Sequence, residues 1–220
     1  MLRSPITTTL LLLLVLIGLA GLVSSAGTTV HLPGNDQGYE PAQPIAFSHQ
    51  LHAGELQIDC LYCHSGADKS RHAGIPAAGT CMNCHKSVRA TFGAIRAEDE
   101  MAQQENRAPR RIVSPEIAKL YTALGLDPET FESDPAQKPT PIEWIQIHKL
   151  PDFVYFNHAA HVNAGVTCQE CHGPVETMER VRQVADLSMG WCVNCHRDTA
   201  KYGVNGKPVA SSTDCAVCHY

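Results

Sequence analysis

Five times the chain carries two cysteines separated by two residues and followed at once by histidine: Cys60, Cys63 and His64; Cys81, Cys84 and His85; Cys168, Cys171 and His172; Cys192, Cys195 and His196; Cys215, Cys218 and His219. In this pattern the two thiols add across the vinyl groups of a haem, and the adjoining histidine becomes the proximal iron ligand. All ten cysteines are consumed in this way. Paired cysteines also build zinc ribbons or disulfide frameworks, but neither requires histidine after every second cysteine. Five covalently bound haems c are therefore expected.

Seven histidines lie outside these motifs, and five irons need sixth ligands. The stretch FSHQLHAGELQIDCLYCH, residues 47–64, and the stretch FNHAAHVNAGVTCQECH, residues 156–172, share a Phe-x-His-x-x-His lead into an attachment motif. The repeat makes His49, His52, His158 and His161 the first choices for sixth ligands. The remaining iron is left to His148, Met178, Met189 or His72. His148 sits in a short apolar segment, whereas His72 lies in the turn-rich RHAGIPAAGT and could equally meet a haem propionate. Met189 stands just ahead of Gly190, Trp191 and Cys192; a thioether ligand would raise the potential of its haem relative to a bis-histidine site. Six-coordinate iron does not readily bind substrate, so this ligand set moves electrons and carries no catalytic residue of its own.

The elements that must hold these groups are modest. Aromatic residues make up 6% of the chain, while glycine and proline number 16 and 14, so the protein core is thin and the porphyrins must supply apolar surface. The expected fold is mainly irregular and α, with little regular structure and short helices around five haems. The apoprotein should be largely unfolded. A net charge of −5 without a basic cluster argues against nucleic acid as a partner.

Residues 1–26 address the membrane. After Arg3, residues 6–23 are uncharged, and eight leucines fall within residues 10–23. The segment is either a signal peptide, cleaved after the small residues Ser24 to Ala26, or a retained transmembrane anchor helix. Either way the haem domain lies outside the cytoplasmic membrane. Residues 27–46 read as a linker, with His31 a solvated loop histidine. Residues 47–111 form a two-haem unit whose attachment motifs are 16 residues apart, and its charged end, residues 86–111, reads as a solvated helix and loop. Residues 112–143 connect the halves. Ser114 and Pro115 start a helix there, Ile117, Leu120, Tyr121 and Leu124 share one face for core packing or for a partner, and Gly125 ends it. Residues 144–220 form a three-haem unit with spacings of 19 and 18 residues.

The repeated Phe-x-His-x-x-His lead resembles the class III multihaem cytochromes c. That resemblance implies that His49 serves the Cys60 haem and His158 the Cys168 haem, while His52 and His161 cross to neighbouring haems. FSHQLHAGELQIDCLYCH, HAGIPAAGTCMNCHK, WIQIHKLPDFVYFNHAAH and MGWCVNCHR closely resemble the pentahaem cytochrome c subunit of alternative complex III, a bacterial quinol-oxidising respiratory assembly. It implies retention of the N-terminal helix as an anchor in the cytoplasmic membrane, with the haem domain on the periplasmic side. It also implies three kinds of partner: an iron–sulfur subunit, polytopic quinol-binding membrane subunits and a monohaem cytochrome c. Electrons from menaquinol would pass through iron–sulfur clusters into the five haems and on to the monohaem subunit or a soluble acceptor. One His/Met haem among bis-histidine haems is implied as well, which keeps Met178 and Met189 in view. Two rival functions are a membrane-anchored multihaem quinol dehydrogenase and a multihaem reductase with an open haem.

Intact-mass measurement of the native subunit should return the 23.9 kDa chain plus five haems, and the same spectrum reports whether the leader has been removed. Bound zinc, or a mass without porphyrin, would refute the haem assignment.

Overall fold

The structure, a computed structural model, describes residues 5–25 and 35–220. Arg3, the Ala26 end of the candidate cleavage site and His31 lie outside the described residues. The chain divides into one unit ending at Asn35 and a second from Asp36 to Tyr220. In the first unit, α1 runs over Pro5–Ser25, and its large apolar side chains from Leu10 to Leu19, with Ile6 and Leu22, are exposed. Side chains are described without a break only over residues 9–22 of this helix. Among the described residues no helix is long and apolar enough to cross a membrane.

The second unit contains no strand among its described residues, only isolated bridges joining Leu126 to Ser133, Val154 to His219 and Val204 to Lys207. Its helices are α2 (Cys60–Cys63), α3 (Ala78–His85), α4 (Phe92–Gln104), α5 (Pro115–Ala123), α6 (His158–Asn163), α7 (Cys168–His172), α8 (Met189–Tyr202) and α9 (Cys215–Cys218). A π-helical turn covers Gln50–Glu55 and a 3₁₀ turn covers Val175–Thr177. Buried apolar residues among those described are few: Ala67, Ala102, Leu120, Tyr121 and Met178. The protein core is as thin as the composition implies.

All five attachment motifs lie on helical turns, because a turn sets the two cysteines and the histidine, at i, i+3 and i+4, on one face. Three of these turns start on a side-chain cap that satisfies an otherwise orphaned N–H. Asp59 accepts from Leu61 N at 2.7 Å, Ser188 from Trp191 N at 3.2 Å and Asp214 from Ala216 N at 3.0 Å.

The cysteine-free middle of the chain braces the second motif. Ser114 Oγ accepts from Ile117 N and Pro115 takes the first turn of α5, as the sequence pattern predicts. Leu120 and Tyr121 are buried, so this helical face packs inward and is not free for a partner. The Tyr121 hydroxyl donates to the His85 carbonyl at 2.5 Å, and its ring meets Phe131 with centroids 5.1 Å apart. Gly125 then turns the chain at a φ of +70°, where a Cβ would stand 3.0 Å from the Gln137 carbonyl oxygen.

The expectation of a solvated helix and loop over residues 86–111 is corrected at Glu98, which is 8% exposed. Its carboxylate accepts from Arg107 Nη1 at 2.5 Å, Arg107 Nη2 at 3.3 Å and Arg110 N at 2.8 Å, a set of donors that pins α4 to the loop behind it. The Arg107 hydrogen bond, followed by the Arg110 N–H, holds the carboxyl at about 2 against an ordinary 4.5. A depressed carboxyl pKa contributes stability above the unfolded value, and that stability is lost as pH falls through the folded one. Thermal melting should therefore show Glu98→Gln below the wild type at neutral pH, with the gap closing between pH 4.5 and about 2. A gap that ignores pH would show that the charge is not what pins α4.

Candidate haem-binding centres

The two Phe-x-His-x-x-His copies fold alike. Phe47 meets the His49 ring edge-on at 4.9 Å and stacks on His52 at 4.3 Å. Phe156 meets His158 edge-on at 4.8 Å and stacks on His161 at 4.6 Å. Within each copy the second histidine is tied to a carbonyl four residues back: His52 Nδ1 donates to Ser48 O and His161 Nδ1 to Asn157 O, both at 2.8 Å. A carbonyl only accepts, so Nδ1 carries the proton and the Nε2 lone pair is left to a metal. The phenylalanines were not singled out as functional by sequence reasoning, although their place in both copies was the available signal.

Most of the proximal histidines are aimed in the same way. His64 Nδ1 donates to Gly74 O at 2.7 Å, His85 Nδ1 to Val88 O at 2.7 Å and His196 Nδ1 to Ser212 O at 2.6 Å. The rings then face one another in pairs. His49 and His64 stand 6.4 Å apart between centroids with planes 3° from parallel, and His158 and His172 stand 6.4 Å apart at 9°. His52 faces His85 at 6.0 Å, and His161 faces His196 at 5.9 Å. Two metal–imidazole bonds of about 2 Å each, with the half-width of each ring added, separate axial imidazoles by roughly 6 Å. The separations fit an iron between each pair, and the neighbouring cysteines would attach its porphyrin. Among the described residues no group of three or more His, Cys, Asp or Glu stands as a metal cluster, and the ten cysteines are unpaired. The thiols therefore converge neither as a zinc site nor as disulfides.

The attachment motifs are also neighbours of one another. In the free-thiol chain the Cys63 thiol is pushed up by burial and then by Cys84, and Cys60 by burial and then by Cys168, which also hydrogen-bonds it. Cys171 is raised to about 11 by burial, then by Cys195 and Cys192, and Cys192 is raised by burial and then by Cys218. The order in space is thus second, first, third, fourth and fifth motif. Around the first and third motifs the two halves brace each other reciprocally. His158 Nδ1 donates to Arg71 O at 2.8 Å and Ala159 N to Ser70 O at 3.0 Å, which places the third centre's lead helix on the loop after the first motif. In return, Gln50 N donates to Met178 O at 2.9 Å and Ser48 Oγ to Glu179 at 2.5 Å. The π turn there lies so close that a Cβ on Gly54 would strike the Glu176 carbonyl. Burial next to these neighbours drops His49 to about 4, through desolvation and then His64 and His52. It drops His172 to about 3, through desolvation and then His148, His158, His64 and His49.

The remaining candidates are spread out. His148 packs on His172, with centroids 4.2 Å apart. His72 is exposed, its backbone tied to Ser70 Oγ. Met178 is 6% exposed and Met189, in the first turn of α8, 66% exposed. The ring against His219 is Phe153, at 5.7 Å, on the segment whose Tyr155 N donates to Cys218 O at 2.8 Å.

Residues 154–220 match the family model described as cytochrome c7 and related cytochrome c. The chain is also similar to the protein named menaquinone reductase, multiheme cytochrome c subunit, of Nitratidesulfovibrio vulgaris, with 25% identity over 199 residues covering 80% of this chain and 76% of that one.

Each histidine pair can be opened singly. His52→Ala should leave the His85 iron five-coordinate, so that carbon monoxide shifts the spectrum of one haem in the reduced protein. The wild type should not respond, and an unresponsive variant would show that His52 is not the ligand opposite His85.

Proposed function

We propose that this multihaem cytochrome c, an electron-transfer protein with covalently bound haem c, is the five-haem relay subunit of a membrane quinol:acceptor oxidoreductase of the alternative complex III kind. The observation that carries the reading is the run of attachment motifs, each beside the next, with imidazoles facing in pairs at iron-sized separations. Haem supplies one-electron chemistry when bound. The chain's own residues hold it by thioethers, close both axial positions and keep one centre near the next.

His49 and His64, His52 and His85, His158 and His172, and His161 and His196 are the proposed axial pairs. For the His219 iron the proposed sixth ligand is Met189. It lies one helical turn ahead of Cys192, the cysteine that neighbours Cys218, and its side chain is exposed, whereas Met178 is already packed away. The proposed partners are an iron–sulfur subunit, polytopic quinol-binding membrane subunits and a monohaem cytochrome c. The motif resemblance to the alternative complex III subunit supports this set. Residues 1–26 would place the haem domain at the periplasmic face of the cytoplasmic membrane, since the run of leucines in α1 is exposed.

The similarity to a protein named as a menaquinone reductase subunit favours a second reading, in which the same relay carries electrons toward a quinone. The two directions use the same ligand set.

In either direction the isolated subunit should remain oxidised when mixed with menaquinol and become reduced only through its complex. Rapid reduction of the subunit alone would make it a quinol dehydrogenase. The reduced wild type should ignore carbon monoxide, whereas Met189→Ala should let one haem bind it; binding by the wild type would make the protein a reductase with an open haem.

A further inference from the structure

Six of the histidines set toward the haem centres donate Nδ1–H to a backbone carbonyl, but His172 does not. Its Nδ1 is 3.3 Å from Nδ1 of His148 and also 3.3 Å from Nε2 of the same ring. The two planes cross at 79°, with centroids only 4.2 Å apart. A hydrogen bond directed in the ring plane at one nitrogen would bring that nitrogen closer than the other. An approach to the carbon between them would hold the centroids further apart. The His172 N–H therefore stands over the face of the His148 ring, a weaker acceptor than a carbonyl oxygen.

We infer that His148 is a positioning residue for His172, fixing its ring through the imidazole face while withholding the strong acceptor that the proximal His64, His85 and His196 have. A metal-bound histidine that donates to a carbonyl becomes a more basic ligand and favours oxidised iron. The face contact forgoes part of that effect, so the Cys168/Cys171 haem keeps a higher reduction potential than it would with a carbonyl partner. The inference rests on His158 and His172 being the axial pair of that haem.

Potentiometric titration of the assembled complex, followed by optical and electron-spin-resonance spectra, tests it with three variants. His148→Phe keeps an aromatic face and should leave five low-spin haems with unmoved midpoints. His148→Gln offers an amide oxygen and should lower the midpoint of one haem alone, by about tenfold in its reduction equilibrium, or ~59 mV for one electron. A haem turned high-spin by His148→Phe would make His148 an iron ligand and overturn the proposal, as would unmoved midpoints in His148→Gln. His158→Ala should open the iron of this same haem; if all haems stay low-spin there, the axial assignment fails and the proposal with it.

Discussion

An imidazole that donates Nδ1–H to a fixed carbonyl has one direction left in which to present Nε2, and the facing histidines of this protein are arranged around that bond. His52, His64, His85, His158, His161 and His196 are aimed in this way. The acceptors come from three sources: the preceding turn of the same segment, the loop that follows the attachment motif, and the opposite half of the molecule. Backbone suits the task because a carbonyl cannot switch between donor and acceptor, so the tautomer is set together with the orientation.

The same economy runs through the packing. With so few apolar side chains buried, no protein core could hold the short helices on its own. Rigid local devices do more of the work instead. Tyr121 clamps the end of α3 through the His85 carbonyl, the Val154–His219 bridge holds the last motif against the second repeat, and Glu98 gathers the loop behind α4. In the proposed five-haem protein a flat, apolar porphyrin against each motif would supply the remaining interior. The reciprocal contacts between the π turn and the 3₁₀ turn, and between α6 and the loop after α2, join the halves where the first and third motifs meet.

That junction also breaks the likeness between the two repeats. Their leads match down to the phenylalanine platform and the carbonyl four residues back, yet His64 donates to Gly74 O while His172 meets the face of His148. Two motifs with the same cysteine spacing and the same facing imidazoles thus differ in how the histidine after the second cysteine is supported. In a relay of chemically similar cofactors, support of this kind is a means of setting potentials apart without changing a ligand.

The attachment motifs and their place on helical turns were legible from residue types alone. Spacing of i, i+3 and i+4 on a helical turn is a local property, and it designated Cys60 to His64 and its four counterparts with no knowledge of the rest. The Phe-x-His-x-x-His repeat likewise marked His49, His52, His158 and His161, and the Ser114–Pro115 pair marked the start of α5. Which rings face which could not be read so, because His52 and His85, or His161 and His196, are brought together by contacts between segments distant in the chain. His148 illustrates the difference best: its apolar neighbours marked it as a candidate ligand, but its contact with Nδ1 of His172 comes from the fold alone. The spatial order of the motifs also depends on the interlocked halves, since sequence neighbours three to five keep their order while the first motif is drawn between the second and the third. Short-range covalent geometry can be deduced from letters; pairing across a gap is decided only when the backbone closes around it.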